Sequence, residues 1–288
     1  MLVHIKDIIS KAQKEGYAVA AFNTFNLETT LAIVKGAMNK NSPVIIQVSE
    51  TTIQYAGLKP ITHIVKTIAK NEAVKIPVAL HLDHGKSFRS VAECISAGFS
   101  SIHIDASDLP YDENVALTKQ ATHYAHKHKC WAQGELGNIL GQKDVDAGLT
   151  EKDTERYMTD PEQAEKFIKQ TEINTLAPSV GAMHGLFPGK EKIDQERLKK
   201  IHEKTKVPLV LHGASGVSNE DIKEAIKNGV VVINIDTRLR QEFSRSLRET
   251  LMSNVHEIDP RKILTPPMAA VQKAVEEKVE IFGSTNRS

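Results

Sequence analysis

Short apolar, β-branched runs alternate along the chain with longer stretches whose apolar residues recur every three or four positions. The runs are Tyr17–Asn23, Pro43–Ser49, Ile76–Gly85, Ser101–Asp105, Cys130–Leu136, Thr175–Ser179, Pro208–Gly213 and Val231–Asp236. They are apolar almost throughout, as strands buried on both faces should be. Between them, Leu27, Leu31, Val34 and Met38 share one helical face, as do Ile61, Ile64, Val65 and Ile68 behind Pro60. Further helices are expected over Phe88–Ser96, over Glu113–Lys129 with its basic end at the negative pole, and after the capping signal Ser218–Asp221. Gln241–Met252 reads as helical, and beyond the turn at Asp259–Pro260–Arg261 a last helix is expected over about Met268–Phe282. Eight βα units predict an α/β fold, a single (β/α)8 TIM barrel with an extra C-terminal helix, one domain over 1–288. An open doubly wound sheet is the alternative, but no GxGxxG follows the first strand.

One interval breaks the rhythm. Roughly 45 residues separate the fifth and sixth strand starts, and the excess is residues 137–160, rich in charge and glycine. Loops this long in compact domains are functional or disordered. On a barrel this one belongs to the catalytic end, and a mobile active-site lid is expected.

Composition narrows the classes. Of 288 residues 40% are hydrophobic and 25% charged, an ordinary globular balance, and the net charge of +1 gives no field for nucleic acid or an anionic membrane. Cys94 and Cys130 form no CxxC and read as buried thiols of a reducing compartment. No apolar window approaches the ~20 residues of a membrane span, and Met1–Ser10 has no signal-peptide pattern. A cytoplasmic protein is expected.

Active sites of parallel barrels lie at the C-terminal strand ends. Those ends carry Asn23, Ser49, Asp83–His84, Asp105 with Ser107, Glu135, Gly181–Gly185, His212–Gly216, and Asn234 with Asp236 and Thr237. Three of them read His-Gly: His84–Gly85, His184–Gly185 and His212–Gly213. Any single one could be a structural histidine. Three converging imidazoles with an open fourth position are the form of a catalytic Zn²⁺ site. His81 and His103 lie inside strands and read as core residues or supports behind the site. His123, His126 and His128 read as a solvated helix face. Gly213–Ala214–Ser215–Gly216 and Asn234–Thr237 stand after strands seven and eight, where this fold frequently binds phosphate. No lysine ends a strand, which argues against Schiff-base chemistry.

Together these residues resemble the class II, metal-dependent, fructose-bisphosphate and tagatose-bisphosphate aldolases. The resemblance spans the chain through YAVAAFN, PVIIQVSE, HLDHG, IDAS, GELG, the GxxHG of Gly181–Gly185, LVLHGASG, NIDT and DPR. It implies that His84, His184 and His212 hold Zn²⁺ and that Asp83 is the acid/base at the substrate hydroxyl. Asp105 and Glu135 would stand near an alternative metal position. Gly185, Gly213, Ser215, Asn234, Asp236 and Thr237 would surround the substrate, mostly its dihydroxyacetone-phosphate half. Asn23, Ser49 and Arg261 match positions for the second phosphate, the arginine reaching across from a neighbouring subunit of a homodimer or homotetramer. Carbonyls near Gly181 and Gly213 would match a site for a monovalent cation, Na⁺ or K⁺. A Zn²⁺ that polarises the ketone and holds the enediolate oxygens would serve as electron sink.

Two departures stand out. The family's lid glutamate is replaced by Lys143 in Leu140–Gly141–Gln142–Lys143–Asp144, leaving Asp144 and Asp146 as nearby carboxylates. The phosphate-binding lysine after the second His-Gly is replaced by Pro188, with Lys190 close by. Asp236 in NxDT resembles the fructose-type enzymes, so fructose 1,6-bisphosphate is the expected substrate. Tagatose 1,6-bisphosphate, another phosphorylated ketose or a deoxy-sugar acid is the alternative. A barrel that binds sugar phosphate without catalysis is a third reading, which an intact Asp83 and three histidines oppose.

Overall fold

A computed structural model of the chain describes all residues except 142, 143, 145, 148, 150 and 186–191. Eight parallel strands close into one barrel in chain order, with β8 paired back onto β1. They are β1 Val19–Asn23, β2 Val44–Ser49, β3 Val78–Gly85, β4 Ser101–Ile104, β5 Trp131–Leu136, β6 Thr175–Pro178, β7 Leu209–Leu211 and β8 Val230–Ile235. Each of the eight expected strands is present, seven of them trimmed at one or both ends and β8 starting and ending one residue earlier than expected.

The helices are α1 Ile5–Glu15, α2 Leu27–Asn39, α3 Glu50–Ala56, α4 Leu58–Asn71, α5 Phe88–Ser96 and α6 Tyr111–Lys127. After them come α7 Pro161–Thr171, α8 Gln195–Thr205, α9 Asn219–Lys227, α10 Thr237–Ser253 and α11 Pro260–Ile281. Among the described residues no helix is long and apolar enough to cross a membrane.

Strand periodicity splits the core in two. Val78, Leu80 and Leu82 of β3 join the large cluster between strands and helices, while Ala79 belongs to a smaller one inside the barrel. The smaller cluster seats Ile5, Ile8, Ile9 and Ala12 of α1 on Val19, Ala21, Ile45, Val210 and Val232. So α1, where no element is expected above, is a plug across the N-terminal end of the barrel. Its apolar residues do follow the helical spacing of three and four.

α11 starts at Pro260, not near Met268. The Asp259 carboxylate caps it by accepting from the Arg261 N–H at 3.0 Å. Proline suits the first helical position because its missing N–H would be unpaired there anyway. The helix carries on through Pro266 and Pro267 and packs on α2 and α10. It is the expected extra helix.

The expected lid, 137–160, is partly described. It holds a 3-10 turn at Glu151–Tyr157 and ends where the Asp160 side chain caps α7. Lys143 lies outside the described residues, as do Pro188 and Lys190.

Candidate active site

The site begins with an irregularity in β3. Its register against β4 shifts between Leu82 and Gly85, and His84 has a left-handed φ of 50°. Consecutive residues of a regular strand face opposite ways. The bulge turns the second of the pair, so that Asp83 and His84 line the same cavity. Histidine is one of the few residue types enriched in this backbone region.

His84 is held from one side and open on the other. Its Nδ1 lies 2.7 Å from Asp105 Oδ2, so Nδ1 carries the proton and Nε2 faces the cavity. His212 Nδ1 is 3.0 Å from that Nε2. His184 stands across the cavity, its ring 5.1 Å from that of His84 and 5.8 Å from that of His212. His184 Nε2 is buried and has no partner. Among the described residues, two groups bring their donor atoms within 4.8 Å of one another: Asp83, His84, His103 and His212, and His84, His103, Asp105 and Glu135. His184 stands just outside both, on the far wall.

These donors fit a divalent metal ion. Burial pushes the His184 imidazole down to about 4 and, with the nearby His84 charge, drives His212 well below its ordinary range, so both rings are neutral at neutral pH. Burial also acts downward on His84, but Asp83, Asp105 and Glu135 overrule it and raise the ring to about 10. In the metal-free protein a proton therefore stands where a cation would. Asn234 Nδ2 and Gln133 Nε2 lie 3.1 and 2.9 Å from His212 Nε2, and Asn234 Oδ1 is buried without a partner.

Asp83 is set by neutral donors. Asn23 Nδ2 donates to its Oδ2 at 2.7 Å and Asn234 Nδ2 reaches Oδ1 at 3.5 Å, while Oδ1 is 3.8 Å from His84 Nε2. The cavity, about 90 Å³, is also lined by Gly185, Gly213, Ser215, Asp236 and Thr237. Gly213 locks the two His-Gly loops together. A Cβ there would stand 2.5 Å from the Met183 carbonyl oxygen, and its φ of 68° is left-handed.

Asp105 and Glu135 line an adjoining cavity of about 250 Å³, which shares His84 and His184. Burial works against the Asp105 charge, but the His84 hydrogen bond and nearby positive charges hold it well below the carboxylate range. Glu135 goes the other way, pushed up to about 8 by burial and then by Asp105. Gly141 is on the rim of this cavity, and its N–H donates to Asp144 at 2.7 Å.

Ser49 and Arg261 are not brought to either cavity. Ser49 Oγ caps α3, accepting from the Thr52 N–H at 3.3 Å. Arg261 is 90% exposed and pairs with Asp259 at 2.9 Å. Conversely, the sequence reading passes over Lys86, which reaches Asp105, and an arginine cluster. Arg238, Arg240, Arg245 and Arg248 of α10 line an open cavity of about 780 Å³ that shares Gly185 and Thr237 with the histidine site. The signal was the spacing of arginines after NIDT. His81 and His103 do lie buried in the barrel, His81 Nδ1 2.9 Å from Ser101 Oγ and His103 directly under His84.

Comparison with known proteins agrees along the whole length. The family model described as fructose-bisphosphate aldolase class-II matches residues 3–287. The fructose-bisphosphate aldolase of Geobacillus stearothermophilus is 39% identical over 290 residues, covering 100% of this chain and 99% of that protein. That of Staphylococcus aureus (strain N315) is 38% identical with the same coverage. Among solved structures, the YdjI aldolase from Escherichia coli K12 superposes with a TM-score of 0.86 at 30% identity, covering 100% of this chain and 99% of that one.

Proposed function

Since the chain belongs to the class II fructose-bisphosphate aldolase family, we propose that it reversibly cleaves fructose 1,6-bisphosphate to dihydroxyacetone phosphate and glyceraldehyde 3-phosphate, with Zn²⁺ held by His84, His184 and His212. The observation that carries the reading is the placement of Asp83. A carboxylate stands 3.8 Å from the open nitrogen of His84, in a cavity with two further neutral imidazoles. That pairs an acid/base with a metal position, which binding alone would not need.

Cleavage needs a base at the C4 hydroxyl and somewhere for the electrons of the C3–C4 bond to go. Asp83 takes the hydroxyl proton, the C4–O becomes a carbonyl, and the bonding pair moves toward the ketone. The metal, when bound, supplies the electron sink by polarising that ketone. Asn23 and Asn234 aim the Asp83 carboxylate through the contacts given above, and Asp105 fixes the His84 ring. In the lid, Asp144 or Lys143 is assigned the proton transfer at the dihydroxyacetone-phosphate carbon.

Gly185, Gly213, Ser215, Asn234 and Thr237 bind the first phosphate at the N-terminus of α10, whose unpaired N–H groups and dipole favour an anion. The α10 arginines add positive charge beside it. Asp236 and Arg240, paired at 3.0 Å, stand at the same mouth and favour the fructose over the tagatose epimer. Asn23, Ser49 and Arg261 serve the second phosphate, Arg261 from a neighbouring subunit of a homodimer or homotetramer. Gly181 and Gly213, both with positive φ, flank the proposed Na⁺ or K⁺ position. The chain works as one domain in the cytoplasm, where its free, buried Cys94 and Cys130 would stay reduced.

The test is a panel of phosphorylated ketoses assayed with and without chelator, with metal analysis of the same sample. Fructose 1,6-bisphosphate should be cleaved well above tagatose 1,6-bisphosphate, and the activity should vanish with the metal. The reverse ranking would overturn the substrate, and chelator-resistant activity would overturn the metal site.

A further inference from the structure

Asp105 is fully subscribed. Its Oδ1 accepts from the Ser107 N–H at 3.2 Å and from Ser107 Oγ at 2.7 Å. Its Oδ2 accepts from His84 Nδ1 at 2.7 Å and from Lys86 Nζ at 2.7 Å. A carboxylate offers about four lone-pair positions, so these four donors fill it. Three of the donors are fixed: a backbone N–H, a hydroxyl two residues away and a ring packed in the site. The fourth is an ammonium on a half-exposed side chain, which also reaches Asp108 Oδ2 at 3.4 Å.

Beyond Asp105 lies unused donor capacity. Glu135 Oε2 and His103 Nε2 are both buried without hydrogen-bond partners, 3.6 Å apart. His103 Nδ1 accepts from the His84 backbone N–H at 3.3 Å, so the ring proton sits on Nε2 and that nitrogen is no metal ligand as it stands. What remains next to Asp105 is carboxylate oxygen, which suits a hard divalent cation such as Mn²⁺ or Mg²⁺.

We propose that Lys86 is a positioning residue that acts as the resident cation of this acidic side of the site: its ammonium holds Asp105 against His84 and keeps a second divalent ion out. The inference rests on the three-histidine reading above, because Asp105 matters to the metal only through His84. Lys86 is placed for this by its own backbone, whose N–H donates to Glu50 Oε1 at 2.8 Å.

The test uses the full-length zinc-loaded protein, Lys86→Ser and Lys86→Arg. Mn²⁺ is titrated in and the free ion followed by electron paramagnetic resonance, while chelator competition reads zinc affinity. The wild type should hold one zinc per chain and take up no Mn²⁺. Lys86→Ser should take up one Mn²⁺ per chain and, without Mn²⁺, lose zinc affinity by about tenfold, the lower end for removing an outer partner of a metal-bound histidine. Lys86→Arg, which keeps the charge, should behave as the wild type. Lys86→Ser that keeps its zinc and binds no Mn²⁺, or a wild type that binds Mn²⁺ beside zinc, overturns the exclusion. Unchanged zinc affinity in Lys86→Ser overturns the positioning. A wild type that holds no zinc overturns the three-histidine reading instead, so the two failures are told apart. Circular dichroism spectra of the three metal-free proteins at a temperature below their melting should coincide, which separates these outcomes from misfolding.

Discussion

The Asp83 carboxylate and the His84 imidazole are successive side chains, yet both face one cavity with Oδ1 and Nε2 3.8 Å apart. Only the bulge at the end of β3 allows this. It lets one strand end present a carboxylate and an imidazole to the same cavity without an intervening residue, the proposed proton acceptor and metal ligand. The two roles should separate on mutation. Asp83→Ala should lower turnover by about 10²–10⁴-fold, the usual worth of a positioned acid/base, while zinc content stays at the wild-type level. Steady-state kinetics and metal analysis of one preparation check both halves. Surviving turnover would remove Asp83 from the mechanism.

His184 gives the converse. Its Nε2 is buried and unpartnered, so in the metal-free protein the ring contributes little that alanine would lose. His184→Ala should lose zinc affinity and activity together, while the metal-free melting temperature changes little. Calorimetric titration with zinc and thermal melting decide it. Zinc affinity equal to the wild type would show that the ring on the far wall is not a ligand.

The pH dependence follows from His84. Its folded value is raised from 6.5 to about 10 in the metal-free protein by the surrounding carboxylates. A raised value means stability fully present below 6.5 and lost as pH rises through about 10. Metal-free protein should therefore melt progressively lower across that window, and His84→Gln should flatten the slope. Zinc removes that proton, so zinc binding at neutral pH should release it, and affinity should rise with pH. Titration in buffers of different ionisation enthalpy counts the proton. No release would contradict the raised value.

Arg261 faces solvent and pairs with Asp259 of its own helix cap. If its phosphate partner lies in a neighbouring subunit's site, complementation should occur. Arg261→Ala and Asp83→Ala should each be nearly inactive alone. Refolded together they should regain activity, because a mixed dimer contains one site with Asp83 from one chain and Arg261 from the other. A mixture as inactive as its components would place the arginine elsewhere.

How much of this was legible before folding depends on how far apart the partners lie. The eight strands were, because strands buried on both faces are apolar without interruption. The three His-Gly endings were, because each is complete within two residues. Ser49 was legible only in part: a hydroxyl at a strand end looks like a ligand, and its capping of the short helix that follows depends on the Thr52 N–H three residues on. Lys86 was invisible because a lysine after glycine reads as a solvated charge until β4 brings Asp105, 19 residues on, beside it. α1 was hidden by its many lysines, although Ile5, Ile8, Ile9 and Ala12 form a clear stripe. The bulge at His84 had no signal at all except that two useful side chains stood next to each other, which a regular strand would have wasted.

The isoleucines of α1 make the barrel a vessel with one mouth. At the end that α1 covers, the barrel interior is filled by the apolar side chains of α1 packed on Val19, Ala21, Ile45, Ala79, Val210 and Val232. On the proposed reaction, the two halves of a six-carbon substrate would leave by the one remaining opening. Traffic through that opening, which Ile139 and Gly141 border, would then bear on the turnover of a site whose chemistry sits on strand ends.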